Sequence, residues 1–168
     1  MNRRELGLGV AAMGLTTGAT QATARPRAAA ASPGMKGFAV SSSIRQEVSF
    51  KAPPARIYQV LLDAREFAKF TGYPAPELDA HVGGALSLFG GQITGRNIEL
   101  VPDRRIVQAW RDAGWAEGLY SLVSFDLAPA GQGTKLTLQH WGFPTADRAH
   151  LDPGWRRMYW KPLAAYLA

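Results

Sequence analysis

Residues 145–167, TADRAHLDPGWRRMYWKPLAAYL, constrain the fold more than any other stretch of this chain. Leu151, Trp155, Met158, Tyr159, Leu163, Tyr166 and Leu167 recur at steps of three and four, which sets them along one stripe of a helix. Arg148, Arg156, Arg157 and Lys161 fall off that stripe. A helix with so aromatic a face is stable only against a broad apolar partner, because packing rather than propensity supplies most helical stability. Proline disfavours helix in the residue before it, so Asp152-Pro153 predicts a break, with Asp152 as cap and Pro153 as first residue of the main segment. Pro162 withdraws a further amide and predicts a bend around Met158.

The preceding residues read as the partner. Residues 44–50 alternate, with Ile44, Gln46, Val48 and Phe50 on one parity and Arg45, Glu47 and Ser49 on the other. That predicts a strand with one polar residue, Gln46, on its apolar face. Lys51-Ala52-Pro53-Pro54 stops it. Pro54 suits the first position of a short helix carrying Ile57, Tyr58, Val60, Leu61 and Leu62. Asp63-Ala64-Arg65-Glu66 opens a second helix, the aspartate able to cap and the glutamate to reach back. Phe67 and Phe70 share its face, and Gly72 terminates it.

From 78 to 142 the helical period disappears. Strand-like runs at 85–89, 92–101, 104–110, 119–127 and 134–141 are divided by Gly-Gly, Pro-Asp and Pro-Ala-Gly turns. Connections this short force neighbouring strands to run antiparallel. The predicted class is α+β: a sheet of about six strands, two short helices after the first, and a long helix at the end. Parity turns Ser121, Val123, Phe125 and Leu127 toward the long helix, and likewise Leu136, Leu138 and His140. Ile106, Gln108 and Trp110, and Ile98 with Leu100, are assigned to the same side.

Several chemistries are excluded. The chain has no cysteine, so disulfides, thiolate metal sites and cysteine nucleophiles are absent. His81, His140 and His150 show no metal-ligand spacing, and no metal is expected. Gly83-Gly84 and Gly90-Gly91 lack the phosphate-loop pattern, no Gly-x-Ser-x-Gly occurs, and no cofactor is expected. The formal charge is +6. Residues 1–34 contribute four arginines and one glutamate to it, leaving +3 on the rest. Those charges are scattered, so no nucleic-acid partner is expected.

The N-terminus has the layout of an export signal: Arg3-Arg4, an uncharged run to Thr23 and small-residue sites such as Ala22-Thr23-Ala24. Adjacent arginines resemble the twin-arginine class, a receptor-read address. The apolar middle is too short for a membrane span. The expected organisation is a leader and linker at 1–34 and a domain at 35–168, giving an exported, periplasmic protein. A start at Met35 would instead give a cytosolic one.

Particular residues carry a family likeness. Gly83-Gly84-Ala85-Leu86-Ser87-Leu88-Phe89-Gly90-Gly91, Ile93-Thr94-Gly95 and Pro102-Asp103-Arg104-Arg105-Ile106-Val107-Gln108-Ala109-Trp110-Arg111 are one set. Gly142-Phe143-Pro144, Gly154-Trp155, Tyr159-Trp160, Pro162-Leu163 and Tyr166-Leu167 are the other. Together they resemble the Hsp90-ATPase-activator-homologue branch of the START-like (SRPBCC) superfamily, from about residue 44 to the end. The resemblance implies a helix-grip, a curved antiparallel sheet wrapped around the C-terminal helix, often with a cavity between them. Members of the superfamily bind lipids, sterols, plant hormones or polyketides, and a few are enzymes. Fold does not choose among these.

The expected function is binding of a small hydrophobic or amphipathic ligand between sheet and helix, without catalytic residues. The cavity candidates are Gln108, Trp110, Trp115, Ser121, Val123, Phe125, Leu138, His140, Trp155 and Tyr159. Convergent polar groups in an aromatic setting describe a small-molecule site. They equally describe a core whose buried polar groups bond one another. Trp115 sits mid-loop and either overhangs the cavity mouth or packs down. Two alternatives stand beside this reading. One is an Hsp90-activator-like or other protein-interaction module, which requires a cytosolic protein. The other is a cyclase- or hydratase-type enzyme using His140 with Gln108 or Tyr159. The sequence specifies no oligomeric state.

Overall fold

The computed structural model describes residues 42–168. The expected leader and linker, and the assignment of residues 35–41 to the domain, lie outside the described residues.

The first strand, β1 (Ser42–Phe50), buries Ile44, Gln46 and Phe50 and exposes Arg45. Pro54 begins α1 (Pro54–Leu62), which buries Ile57, Val60, Leu61 and Leu62. Asp63 then caps α2 (Ala64–Thr71): its Oδ1 accepts the amides of Arg65 and Glu66 at 2.9 and 2.8 Å. Gly72 closes the helix in the left-handed region at φ 74°. Glu66 does not reach back to the cap. It accepts from Arg56 Nη2 at 2.7 Å and from the Tyr166 hydroxyl at 2.9 Å, tying both short helices to the end of the chain. Asp63→Ala is expected to cost about 1 kcal/mol, the usual worth of an N-cap. Chemical denaturation checks it, and a loss below about 0.3 kcal/mol would contradict the capping role.

The remaining strands are β2 (Glu77–Leu78), β3 (Ala85–Leu88), β4 (Ile93–Val101), β5 (Arg105–Asp112), β6 (Ser121–Ala130) and β7 (Gly133–Phe143). They form one antiparallel sheet in the order β1-β7-β6-β5-β4-β3-β2. The sheet therefore has seven strands rather than about six. The extra one, β2, is two residues long, too short to show an alternation. β1 closes onto β7, with Gln46 opposite Leu138 and Ile44 opposite His140.

The residues assigned inward by parity in β5 through β7, Ile106, Gln108, Trp110, Val123, Phe125, Leu136, Leu138 and His140, are all buried, and Val107 and Ser124 are buried on the opposite parity as well. Parity fails at Ile98, which is 45% exposed. The register between β4 and β5 shifts between Asn97 and Glu99. A bulge inserts one residue and reverses the alternation locally. Asn97 turns inward, fully buried opposite Gln108, and Ile98 turns out.

The chain ends in a near-continuous helix. After a 3-10 turn at Thr145–Asp147 come α3 (Arg148–Trp155), a π turn (Arg156–Trp160) and α4 (Lys161–Tyr166). The break expected at Asp152-Pro153 does not occur, and Pro153 lies inside α3. Asp152 is not a cap, because its carbonyl and carboxylate both accept from the Gln46 amide of β1. That tether, with Arg148 donating to the Ser43 carbonyl, holds the segment helical despite the missing amide. The disturbance expected near Met158 takes the form of the π turn, where the Lys161 amide reaches back five residues to the Arg156 carbonyl. Pro162 offers no amide to Met158, which favours the wider turn. Among the described residues no helix is long and apolar enough to cross a membrane.

Candidate functional site

Two polar chains run through the aromatic interior under the helix. In the first, Trp155 Nε1 donates to His140 Nδ1 at 3.2 Å, and His140 Nε2 lies 2.9 Å from Ser121 Oγ. Ser121 in turn donates to the Trp110 carbonyl at 3.3 Å. An indole can only donate, so Nδ1 accepts and the proton of the neutral ring sits on Nε2. In the second, Trp110 Nε1 donates to Gln108 Oε1 at 2.9 Å, and Gln108 Nε2 to Asn97 Oδ1 at 2.9 Å. Asn97 passes the chain to the Asp79 carbonyl at 2.7 Å. A third contact joins helix to sheet, from Trp160 Nε1 to Gln46 Oε1 at 2.6 Å. Buried polar groups must be partnered, and these strand residues are partnered chiefly by tryptophan.

Burial pushes the His140 imidazole from 6.5 down to about 3. With both nitrogens engaged, it is a structural donor and acceptor rather than a group poised to exchange protons near neutrality. The unfolded chain binds this proton at higher pH than the folded one. Stability should therefore fall as the pH drops below 6.5, through a window that closes near 3. Inside that window the slope from one such group is about 1.4 kcal/mol per pH unit. His140→Gln should flatten this part of a denaturation-versus-pH curve, and an unchanged slope in the variant would contradict the assignment.

An aromatic-lined cleft lies to one side of these chains. It measures about 510 Å³ and is bounded by α3 and the π turn on one side, and by β4, β5 and the turn after β3 on the other. Trp110, Trp155 and Tyr159 form its inner wall, and Tyr73, Phe89 and Ile93 its far side. Leu151, Gly154 and Met158 supply the helix side, with Gln92, Asp112, His150 and Arg157 also lining it. Trp110 and Trp155 stack at 5.0 Å between centroids, and Tyr159 meets Trp155 at 4.7 Å and Phe89 at 5.7 Å. Phe89 occupies the left-handed region at φ 52°, which is costly for an aromatic residue. Backbone held in such a region is grounds for asking about function.

The polar groups differ in how far they are already used. Asp112 Oδ1 accepts from Gln92 Nε2 at 3.0 Å and from the Gly114 amide at 2.8 Å. Arg157 and His150 are exposed and have no ion-pair or hydrogen-bond partner among the described residues. Tyr159 is 3% exposed, and its hydroxyl has no hydrogen-bond partner among the described residues either. That oxygen is not fully enclosed, since among the described residues the enclosed side-chain atom without a hydrogen bond is Arg105 Nε. Tyr159 itself lines the cleft. Burial raises its phenol well above the ordinary value of 10, so it remains a donor.

Of the ten expected cavity residues, Trp110, Trp155 and Tyr159 come together in this cleft. Gln108, Ser121, Val123, Phe125, Leu138 and His140 lie buried in the packed interior. Trp115 packs down against the core, and its indole donates to Asp147 before α3. Sequence reasoning missed Tyr73, Phe89, Gln92, Ile93, Asp112 and Arg157 as cleft residues. They meet only through long-range placement. Leu151 and Met158 were on the helical stripe and could have been added from it.

Residues 51–168 match the family described as "Activator of Hsp90 ATPase homolog 1-like protein". Protein C1711.08 of Schizosaccharomyces pombe is 29% identical over 149 residues, covering 88% of this chain and 44% of that protein. The human "Activator of 90 kDa heat shock protein ATPase homolog 1" is 28% identical over 113 residues, covering 67% of this chain and 33% of that protein. The chain thus spans less than half the length of these curated relatives. Among solved structures, PFC0360w, an HSP90 activator from Plasmodium falciparum, superposes with a TM-score of 0.62 at 27% identity. That match covers 71% of this chain and 90% of the other.

Proposed function

We propose that this chain, which belongs to the Activator of Hsp90 ATPase homolog 1-like family, binds a small apolar or amphipathic molecule in the cleft beside its C-terminal helix. The observation that carries the reading is a space of about 510 Å³ walled by aromatic rings, with the hydroxyl of a buried tyrosine on its wall left unpartnered among the described residues. Concave, mostly apolar sites with few polar groups are where small molecules bind. Association removes apolar ligand surface from water at about 25 cal/mol per Å² before the costs of immobilisation are subtracted.

Gly154 makes the test clean. It lies on α3 and lines the cleft, and a Cβ added there meets nothing within 4 Å. Gly154→Ala should raise stability by about 0.4–1 kcal/mol by restricting the unfolded chain. Gly154→Phe should fill the cleft while leaving the core untouched. A panel of fatty acids and polycyclic aromatics should quench tryptophan emission saturably in the wild type and in Gly154→Ala, but not in Gly154→Phe. Absence of saturable quenching across the panel would overturn the reading, as would equal quenching in Gly154→Phe.

A second reading rests on the printed names of the relatives, the Hsp90 activators of human and Plasmodium falciparum. On it the domain contacts a chaperone and the protein is cytosolic. We favour export through the arginine-led leader at the N-terminus, so N-terminal sequencing of the native protein separates the two. A mature end near Arg25 supports export, and an end at Met35 with co-purifying Hsp90 supports the chaperone reading.

A further inference from the structure

The polar groups around the cleft narrow the ligand further than its apolar walls do. This step rests on the proposed binding function. We infer that the cleft selects a flat aromatic molecule with a neutral acceptor oxygen at its buried end and an anionic group at its mouth.

The flat body follows from the walls. Trp110 and Trp155 are stacked on one another at 27° between planes, Phe89 and Tyr159 meet each other edge-to-face at 72°, and all four rings line the cleft. Because Trp155 is stacked against both Trp110 and Trp160, its ring turns an edge to the cleft, and a flat ring system meeting that edge gains edge-to-face contacts that a branched aliphatic chain does not. The acceptor follows from Tyr159. The residue is 3% exposed on the cleft wall, and its hydroxyl is satisfied by no atom of the described residues. Leaving such a donor unpaired when a ligand displaces water is costly, so a carbonyl or ether oxygen is favoured opposite it. The phenol stays neutral, which suits it to an uncharged acceptor. The anion follows from the mouth. The Asp112 carboxylate is already engaged by Gln92 and by the Gly114 amide, whereas the Arg157 guanidinium is exposed with no partner among the described residues. A planar guanidinium binds a carboxylate bidentately.

Three matched probes test this by calorimetry or tryptophan quenching. Anthraquinone-2-carboxylate has ring, carbonyl and anion. Anthracene-2-carboxylate lacks the carbonyl, and 2-(hydroxymethyl)anthraquinone lacks the charge. The wild type should bind the first most tightly. Tyr159→Phe, which keeps the ring, should weaken both quinones by about 3- to 10-fold and leave anthracene-2-carboxylate unchanged. Arg157→Gln should weaken the two carboxylates by a similar factor, more at low salt, and leave the neutral probe unchanged. Equal affinities of all three probes, with Gly154→Phe abolishing each, would overturn the inferred ligand class while sustaining the binding function. Tyr159→Phe and Arg157→Gln affecting all three probes alike would do the same. Failure of every probe to bind the wild type would overturn both.

Discussion

Gly95→Ala is expected to abolish stable folding or to cost about 3 kcal/mol or more, the upper end for inserting one methyl group into a packed protein. Gly95 sits in β4 opposite Trp110 of β5. A Cβ built there falls 1.8 Å from the Ala109 carbonyl oxygen and 2.9 Å from its carbon. The clashing atoms are backbone, so no rotamer change relieves them. The two strands must separate instead, and the hydrogen bonds between β4 and β5 go with them. Glycine in a strand interior commonly marks such an approach. Separation here would also shift Trp110, whose ring supports both the helix and the cleft. A urea melt checks it. A variant within about 1 kcal/mol of the wild type would show that the strands are less closely apposed than described.

Trp155→Ala should cost about 3–5 kcal/mol from lost burial and the cavity alone. The side chain is 4% exposed and meets the rings of Trp110, Phe125, Tyr159 and Trp160. Its removal also strands His140 Nδ1 without a donor, which adds about 1–3 kcal/mol. Trp155→Phe separates the contributions, because it keeps much of the packing while losing the indole N–H. The alanine variant should be near the limit of foldability and the phenylalanine variant measurably folded. The denaturation midpoint should fall from wild type to Trp155→Phe to Trp155→Ala with the slope unchanged. Equal midpoints for the two variants would contradict the large share assigned here to ring packing.

The regular alternation of β7, and the apolar parity of β5 and β6, are why inward residues such as Gln108 and His140 could be read from sequence, although Val107 and Ser124 are buried on the opposite parity. The caps were legible for the same local reason: Asp63 and Gly72 act within one turn. Ile98 was misplaced because a bulge leaves no mark on composition. Asp152-Pro153 was misread as a break because the group that holds it helical, Gln46, is 106 residues away. The cleft was half legible. Trp110, Trp155 and Tyr159 follow from parity and helical stripe. The interior chosen by parity is occupied by tryptophan rings and by the amide and imidazole groups they serve. The aromatic cleft lies where α3, the left-handed turn at Phe89 and the ends of β4 and β5 converge. That convergence depends on how far one element is offset along another, which periodicity does not encode.

If the space beside the C-terminal helix holds a guest, native mass spectrometry of the protein purified from its own cells should detect it without any added probe. The expected result is a complex heavier than the chain by one small organic molecule in the wild type, and the bare chain mass in Gly154→Phe. The bare mass in both, or the same added mass in both, would contradict it.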